Sequence, residues 1–199
     1  MPSPFDAAYY ARYYHGRGRV SSPREVAQLA RAACCLAAYH RLSLERILDV
    51  GAGPGLWRDW FRRRLPDARY RSVDVSRHAC ARYGHERKDI SRWRSRERFD
   101  LVICQGVLQY LDDEPCERAI ENLGAMCRGL LFLEALTRKD LAEVVDRTAS
   151  DVDVHLRTGA WYRAHLAAAG LRQLGAGLWV SRRSGLPLFE LEAAAPRTR

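Results

Sequence analysis

The chain has 199 residues, a length that favours one domain large enough for a full sheet with helices on both faces. Its 47% hydrophobic and 29% charged residues are typical of a globular protein, and no apolar run is long enough to span a bilayer. The net charge of +9 excludes an acidic chain and leaves two interpretations: a phosphate-binding surface, or arginines dispersed over a solvated surface.

The first 45 residues predict a helical cap or lid. Residues 1–6 have neither the basic nor the apolar stretch of a secretory signal, which predicts a cytoplasmic protein. Ser22-Pro23-Arg24-Glu25 is a capping box with proline at the first helical position, so a helix begins there. Before it, four tyrosines have a spacing that places them on one helix face, as packing residues or as a lid: Tyr9, Tyr10, Tyr13 and Tyr14.

Residues 46–192 alternate between strand and helix patterns. Predicted helices cover about 57–64 and 115–127. The predicted strands are 46–50, 70–74, 85–89, 99–104 and 130–133, and the fourth is a continuous apolar run typical of a central parallel strand. This order predicts a doubly wound α/β fold.

The end of the chain has a different pattern. Thr137 is predicted to cap a helix over about 138–148, and Thr158 another that ends at Gly170. Residues 178–180 and 186–191, joined by a turn at 181–185, predict a closing antiparallel hairpin. Residues 193–199 are expected to be a frayed tail, and nothing indicates a second domain.

A glycine-rich turn follows the first strand: Asp49-Val50-Gly51-Ala52-Gly53-Pro54-Gly55. Glycine lets the backbone turn sharply and lie against a ligand, and the next helix points free N–H groups at it. The second strand ends at Asp74, 21 residues after Gly53, where a doubly wound fold places a carboxylate that binds ribose hydroxyls. The sequence therefore predicts a nucleoside site.

Four segments in this order resemble the cofactor site of class I S-adenosylmethionine-dependent methyltransferases, and the resemblance covers most of residues 46–192. They are residues 48–55, 73–76, 88–90 and 99–111. The resemblance implies a mostly parallel seven-stranded sheet with a C-terminal antiparallel hairpin. It also implies S-adenosylmethionine as cofactor and S-adenosylhomocysteine as product, as in small stand-alone enzymes that methylate metabolites.

By the same resemblance, Gly51, Ala52 and Gly53 would lay backbone against the methionine part of the cofactor, and Asp49 would orient its ammonium. Asp74 would accept both ribose hydroxyls. The other implied contacts are Val75 on the adenine face, Asp89 and Ile90 at the adenine amino group, and Gln105 near the ammonium.

The residues after the fourth and fifth strands depart from the metal-dependent members. Gln105 stands where those enzymes have an aspartate after the fourth strand, and Glu134-Ala135 stands where they have an Asp-Asn pair after the fifth, so we expect no metal. The six cysteines contain no C-x-x-C pair and are interpreted as small core residues in a reducing compartment.

Catalytic residues are harder to predict, because methyl transfer chiefly requires alignment and exclusion of water. The candidates are His155 as a general base, Glu134 at a strand end and Tyr110. Each has a structural alternative: a surface histidine, a capping acid and a core tyrosine. Further candidates for the acceptor pocket or lid are Tyr14, Arg19, Arg157, Trp161 and Tyr162.

The sequence thus favours a monomeric or homodimeric methyltransferase acting on oxygen or nitrogen of a small molecule. Three alternatives remain open: methylation of nucleic acid, suggested only by the charge, an NAD-type oxidoreductase, and a nucleoside-binding module without turnover.

Overall fold

The computed structural model describes residues 5–14, 20–148 and 150–194. The predicted lid residue Arg19 and tail residues 195–199 lie outside these ranges. Two helices precede the sheet: α1 (Ala7–Tyr14) and α2 (Pro23–Tyr39). Ser22 Oγ accepts from the Glu25 N–H, and the Glu25 carboxylate accepts from the Ser22 N–H, as the capping box predicts.

Seven strands form one sheet in the order β3-β2-β1-β4-β5-β7-β6, and only β7 runs antiparallel to its neighbours. This confirms the predicted fold class. The parallel strands are β1 (Arg46–Val50), β2 (Arg69–Asp74), β3 (Glu86–Arg87), β4 (Phe99–Gln105) and β5 (Cys127–Glu134). The helices between them are α3 (Leu56–Arg64), α4 (Arg77–Tyr83) and α5 (Asp113–Met126).

Helices cover both faces of the sheet and bury two apolar clusters. On one face α2 and α3 pack against β1, β4 and β5, with residues such as Val26, Trp57 and Ile103. On the other, α5 and α7 (Gly159–Ala168) pack through residues such as Leu123 and Leu166. Each cluster removes a continuous apolar surface from water, which is the main term that stabilises this layered arrangement.

The closing hairpin was predicted at the wrong place. It is formed by β6 (Leu171–Gly175) and β7 (Leu178–Ser181), whereas residues 186–191 lie outside the sheet. The tight turn lies at Gly175, Ala176 and Gly177, which all have positive φ. These residues supply the left-handed conformations that a hairpin turn requires. The sheet therefore ends at Ser181.

Two other element boundaries differ from prediction. Helix α6 (Arg138–Glu143) begins after the predicted Thr137 cap but ends well before residue 148. Strand β5 starts directly after α5, so Gly129 lies inside it rather than in a turn. A Cβ on Gly129 would come within 2.3 Å of the Asp100 carbonyl oxygen, so glycine permits the close approach of β4 and β5.

The edge of the sheet at the carboxyl ends of the parallel strands is positioned to bind a ligand. The strand order reverses between β1 and β4, and ligands of open α/β sheets bind at such a switch point, beyond the carboxyl ends of the strands. The glycine-rich turn, Val75, Gln105 and Glu134 lie at or just after those ends. Of the helices in the described part of the chain, none combines the length and apolarity needed to cross a membrane.

Candidate active site

The turn after β1 uses glycine because its backbone is left-handed. Gly51, Gly53 and Gly55 have φ of 68°, 53° and 79°. The Gly51 and Ala52 N–H groups both donate to the Val73 carbonyl, at 2.9 and 3.2 Å, which ties the turn to β2. A Cβ on Gly51 would lie 2.2 Å from Val107 Cγ2, so a side chain there would collide with the segment after β4. The turn is therefore fixed against both neighbouring strands.

Asp74 joins this turn to the end of β2. Its Oδ2 accepts from the Gly53 N–H at 2.9 Å, and its Oδ1 accepts from the Ser76 N–H at 2.8 Å. Burial raises the pKa of Asp74, and the two backbone hydrogen bonds oppose that rise. Each carboxylate oxygen has a further lone pair with which to accept from a ligand hydroxyl.

His85 holds the same turn from the other side, and the sequence reasoning missed it. Its Nε2 lies 2.9 Å from the Gly53 carbonyl oxygen and its Nδ1 2.8 Å from Ser72 Oγ. Because a carbonyl only accepts, Nε2 carries the proton and Nδ1 accepts from the Ser72 hydroxyl. The Gly53 peptide is thus bonded through its N–H to Asp74 and through its carbonyl to His85.

Asp49 lies beneath the turn rather than in the cavity. It is 2% exposed, and its Oδ2 accepts from the Tyr70 hydroxyl at 2.7 Å. Burial raises the Asp49 pKa to about 7, and the Tyr70 hydrogen bond partly offsets this rise. The expected contact with a cofactor ammonium remains a prediction.

A cavity of about 190 Å³ opens at the carboxyl ends of the strands. From the turn and β2 it is lined by the predicted residues Gly51, Gly53, Asp74 and Val75. From more distant segments it is lined by Asp89, Ile90 and Gln105. The structure therefore brings these predicted cofactor residues together, whereas Asp49 and Ala52 are not among the described lining residues.

The predicted adenine end is also ordered by local hydrogen bonds. Asp89 Oδ1 accepts from both the N–H and the hydroxyl of Ser91, at 2.9 and 2.7 Å. The Ile90 carbonyl accepts from Asn122 Nδ2 at 2.8 Å, which fixes this loop to α5. Lys88 lines the same part of the cavity.

Phe5 and helix α1 cover the cavity with aromatic rings. Phe5, Tyr9, Tyr10 and Tyr14 line it, and the hydroxyls of Tyr9 and Tyr110 share a hydrogen bond of 2.9 Å. Ser76 Oγ donates to the Phe5 carbonyl at 2.5 Å and so ties the start of the cover to the end of β2. Tyr14 and Tyr110, both predicted as candidates, therefore face the cavity from opposite segments of the chain.

Gln105 connects the cavity to the end of β5. The Trp57 indole N–H donates to Gln105 Oε1 at 2.8 Å, which directs the Gln105 amide nitrogen to the Glu134 carboxylate, 3.4 Å from each oxygen. Desolvation raises the pKa of Glu134, with Asp140 and Glu25 adding to the rise. Glu134 thus lies beside the cavity, next to a lining residue.

The remaining candidates lie outside the described lining of the cavity. His155 Nε2 is 3.4 Å from Asp112 Oδ1, and its side chain is half exposed. Arg157 is buried and donates to Asp113 Oδ1 at 2.8 Å and to the Leu111 carbonyl at 2.6 Å, so it fixes the start of α5. Trp161 contacts this guanidinium, and Tyr162 is buried in the apolar cluster under α7. Their assignment to an acceptor pocket stays a prediction.

Three of the six cysteines are core residues as predicted, and the other three are partly or fully exposed. Cys104, Cys116 and Cys127 are buried, but Cys35 is exposed because it lies on the outer side of α2. All six are free thiols. Within the residues that the structure describes, no three His, Cys, Asp or Glu side chains are grouped to hold a metal ion.

Comparison with known proteins gives a family and a fold. The profile of a methyltransferase domain family matches residues 26–174. CalS10, an amino pentose methyltransferase from Micromonospora echinaspora solved with bound S-adenosylmethionine, is 18% identical with a TM-score of 0.63, over 90% of this chain and 98% of that one. The sugar N-methyltransferase KedS8 from Streptoalloteichus sp. is 18% identical with a TM-score of 0.62, over 90% and 92%.

A third structure, the magnesium protoporphyrin IX methyltransferase ChlM from Synechocystis, is 16% identical with a TM-score of 0.59, over 89% of this chain and 93% of that one. At these identities the structures support the fold alone. Among curated protein sequences none matches the chain.

Proposed function

The chain belongs to the class I S-adenosylmethionine-dependent methyltransferases, and we propose that it methylates oxygen or nitrogen of a small-molecule acceptor. The observation that carries the proposal is the Gly53–Asp74 hydrogen bond, between two residues that line a cavity together with tyrosines. The structural neighbours include sugar and porphyrin methyltransferases, whose substrates are of the same small-molecule kind.

The residues of the cavity fit the cofactor. A Cβ on Gly53 would be in van der Waals contact with both Tyr10 and Tyr14, at 3.9 Å, so glycine keeps the space between the turn and the lid free of a side chain. Asp74 has lone pairs left for two ribose hydroxyls, and Asp89 offers an acceptor at the adenine end. When bound, S-adenosylmethionine supplies an electrophilic methyl group on a sulfonium.

The residues of the chain would then bind and orient the cofactor and exclude water from it. Asp74 and the Gly51–Gly53 backbone fix the sugar and amino-acid ends of the ligand, while Val75 and Ile90 enclose the adenine. Helix α1 excludes water from the reacting atoms, which strengthens local electrostatic interactions. Alignment of this kind supplies a large part of the acceleration of a displacement reaction.

We propose further that the reaction is independent of a metal ion, since an amide, Gln105, ends β4 where a hard cation would require a carboxylate. Free thiols at all six cysteines favour a reducing compartment, and we propose the cytoplasm. The chain is proposed to act as one domain, as a monomer or a homodimer.

The test is transfer of a labelled methyl group from S-adenosylmethionine to a panel of small metabolites, detected by mass spectrometry. Labelled product and stoichiometric S-adenosylhomocysteine support the proposal. A protein that binds the cofactor but methylates no member of a broad panel would favour the non-catalytic alternative.

Nucleic acid is the second candidate acceptor, favoured only by the net charge of +9. Binding that neutralises several phosphates weakens steeply with salt. RNA or DNA affinity that falls at least about tenfold between 50 and 200 mM salt would favour this candidate.

A further inference from the structure

The part of the cavity that faces away from Asp89 forms an acceptor mouth, defined here as Tyr9, Tyr14, Tyr110, Glu134 and Asp151. Tyr9, Tyr14 and Tyr110 line the cavity. Asp151 is close enough to add to the rise in the pKa values of Tyr9 and Tyr110, and Glu134 lies beside the lining residue Gln105. Resting on the proposed function, we propose that the acceptor atom is the nitrogen of a protonated amine.

The mouth carries negative charge in a strongly basic chain. The charges of Asp151 and Glu134 add to the rise in the pKa of Tyr14 that burial causes, and those of Asp140 and Glu25 add to the rise in the pKa of Glu134. Among the described lining residues the one cation is Lys88, which lies beside Asp89 at the opposite, adenine end. A protonated amine carries the positive charge that complements the carboxylates of the mouth.

The aromatic rings add a second attraction for a cation. Phe5 stands edge-on to both Tyr9 and Tyr110, with ring centroids 5.0 and 4.9 Å apart. Tyrosine and phenylalanine faces attract ammonium groups, and the attraction is largest when water is excluded. Because methyl transfer moves a positive charge from sulfur to the acceptor nitrogen, the same rings face a cation before and after the reaction.

The phenols themselves are poor bases. Burial raises the pKa of Tyr9 to about 12 and those of Tyr14 and Tyr110 further, so all three remain neutral near pH 7. His155, the predicted base, pairs with Asp112 outside the described lining. The proton acceptors that the described mouth offers are therefore carboxylates.

Carboxylates suit an amine better than a hydroxyl. An alkylammonium has a pKa of about 10.4, whereas an aliphatic hydroxyl is close to water, about 15.7. In the first step a mouth carboxylate takes one proton from the ammonium and leaves a neutral amine. The nitrogen lone pair then forms the N–CH₃ bond as the S–CH₃ bond breaks, and the released electron pair stays on sulfur. The products are an N-methylammonium and a neutral thioether.

The experiment measures binding to the full-length protein saturated with S-adenosylhomocysteine. The two probes are cyclohexylammonium and cyclohexanol, which differ only at the acceptor atom, titrated by calorimetry at pH 7.5. The proposal predicts that cyclohexylammonium binds at least about tenfold more tightly, the scale of a desolvated cation–π contact.

Two variants test the carboxylates directly. Glu134→Gln and Asp151→Asn should each weaken cyclohexylammonium binding about fivefold or more and leave the affinity for S-adenosylhomocysteine unchanged. Glu121→Gln, an exposed carboxylate on α5, is the matched control and should change neither affinity.

Equal affinities for the two probes, including no detectable binding of either, would overturn the proposal, as would unchanged binding in both mouth variants. If S-adenosylhomocysteine itself fails to bind, the proposed function fails and this inference with it. If it binds without an amine preference, only the inference fails.

Discussion

The donor half and the acceptor half of the cavity are built in different ways. In the donor half, the glycine turn, Asp74 and His85 all come from residues 51–85 and contact one another through backbone N–H and carbonyl groups. In the acceptor half, side chains meet from distant segments: Tyr9 bonds to Tyr110, and Glu134 lies beside Gln105 at the boundary with the donor half. The difference indicates that cofactor binding is encoded in short segments, whereas acceptor choice depends on long-range packing.

The largest effect on stability is expected from a substitution in the donor half, at Gly51. Gly51→Ala should lower the free energy of unfolding by about 2–5 kcal/mol, because it adds both left-handed strain and a collision with Val107. Gly170→Ala is the matched control, since Gly170 has φ of 84° but open space around it, and it should cost only about 1–2 kcal/mol. Urea denaturation measures both, and equal losses would show that the turn is not sterically fixed.

Much of the donor half could be predicted from the sequence for the same reason. Glycine at left-handed positions and an acid at the end of a strand are local signals, so the sequence singles out Gly51, Gly53 and Asp74, all of which line the cavity. His85 was missed because its partners, Ser72 and the Gly53 carbonyl, lie in separate segments that meet only after β2 and β3 pair.

The fold shows the same difference between features that local patterns predict and features that depend on long-range packing. Strand–helix alternation predicted the parallel sheet, but the closing hairpin was misplaced because Leu186, Leu188 and neighbouring residues form a strand-like pattern that the chain uses only for packing beside β7. The acceptor half depends on contacts between Tyr9 and Tyr110, which no local pattern specifies.

The next largest effect is a pH dependence of the free energy of unfolding that arises from Asp49. Burial raises its pKa to about 7 in the folded chain, so between pH 4 and 7 the unfolded state ionises first and the free energy of unfolding falls as pH rises. Above about pH 7 both states are ionised and the cost is constant. Asp49→Asn should be more stable than wild type by about 2–4 kcal/mol at pH 8 and nearly equal to it at pH 4. A pH-independent difference, from chemical denaturation, would contradict the shift.

Asp74→Ala tests whether the donor half alone determines the affinity for S-adenosylhomocysteine. It removes the acceptor for the Gly53 and Ser76 N–H groups and for the ribose hydroxyls, so it should weaken S-adenosylhomocysteine binding by about 1–3 kcal/mol. Calorimetry measures the change. Because Glu134 belongs to the acceptor half, we expect Glu134→Gln to leave this affinity unaltered. Equal losses of affinity in both variants would show that the two halves are not separate.

His85→Ala tests whether the turn needs its second hydrogen bond. Loss of the donor to the Gly53 carbonyl should weaken S-adenosylhomocysteine binding by about 0.5–1.5 kcal/mol. Ser72→Ala, which removes only the Nδ1 partner, should cost less, and His85→Gln should restore part of the affinity through its amide donor. If Ser72→Ala costs as much as His85→Ala, packing of the ring rather than the Gly53 contact is responsible.

The smallest effect is expected at the lid. Tyr9→Phe removes the hydroxyl that pairs with Tyr110 but keeps the ring, so the free energy of unfolding should fall by about 0.5–1 kcal/mol. Binding of S-adenosylhomocysteine should change less than threefold, as measured by calorimetry. A loss as large as that of Asp74→Ala would place Tyr9 in the donor half.

The central claim is that Asp74 and the Gly53 backbone together hold a methyl donor. Titration of the folded wild-type protein with S-adenosylhomocysteine and, separately, with NAD tests it most directly. We expect saturable one-to-one binding of S-adenosylhomocysteine and none of NAD. Binding of NAD by a protein that ignores S-adenosylhomocysteine would contradict it.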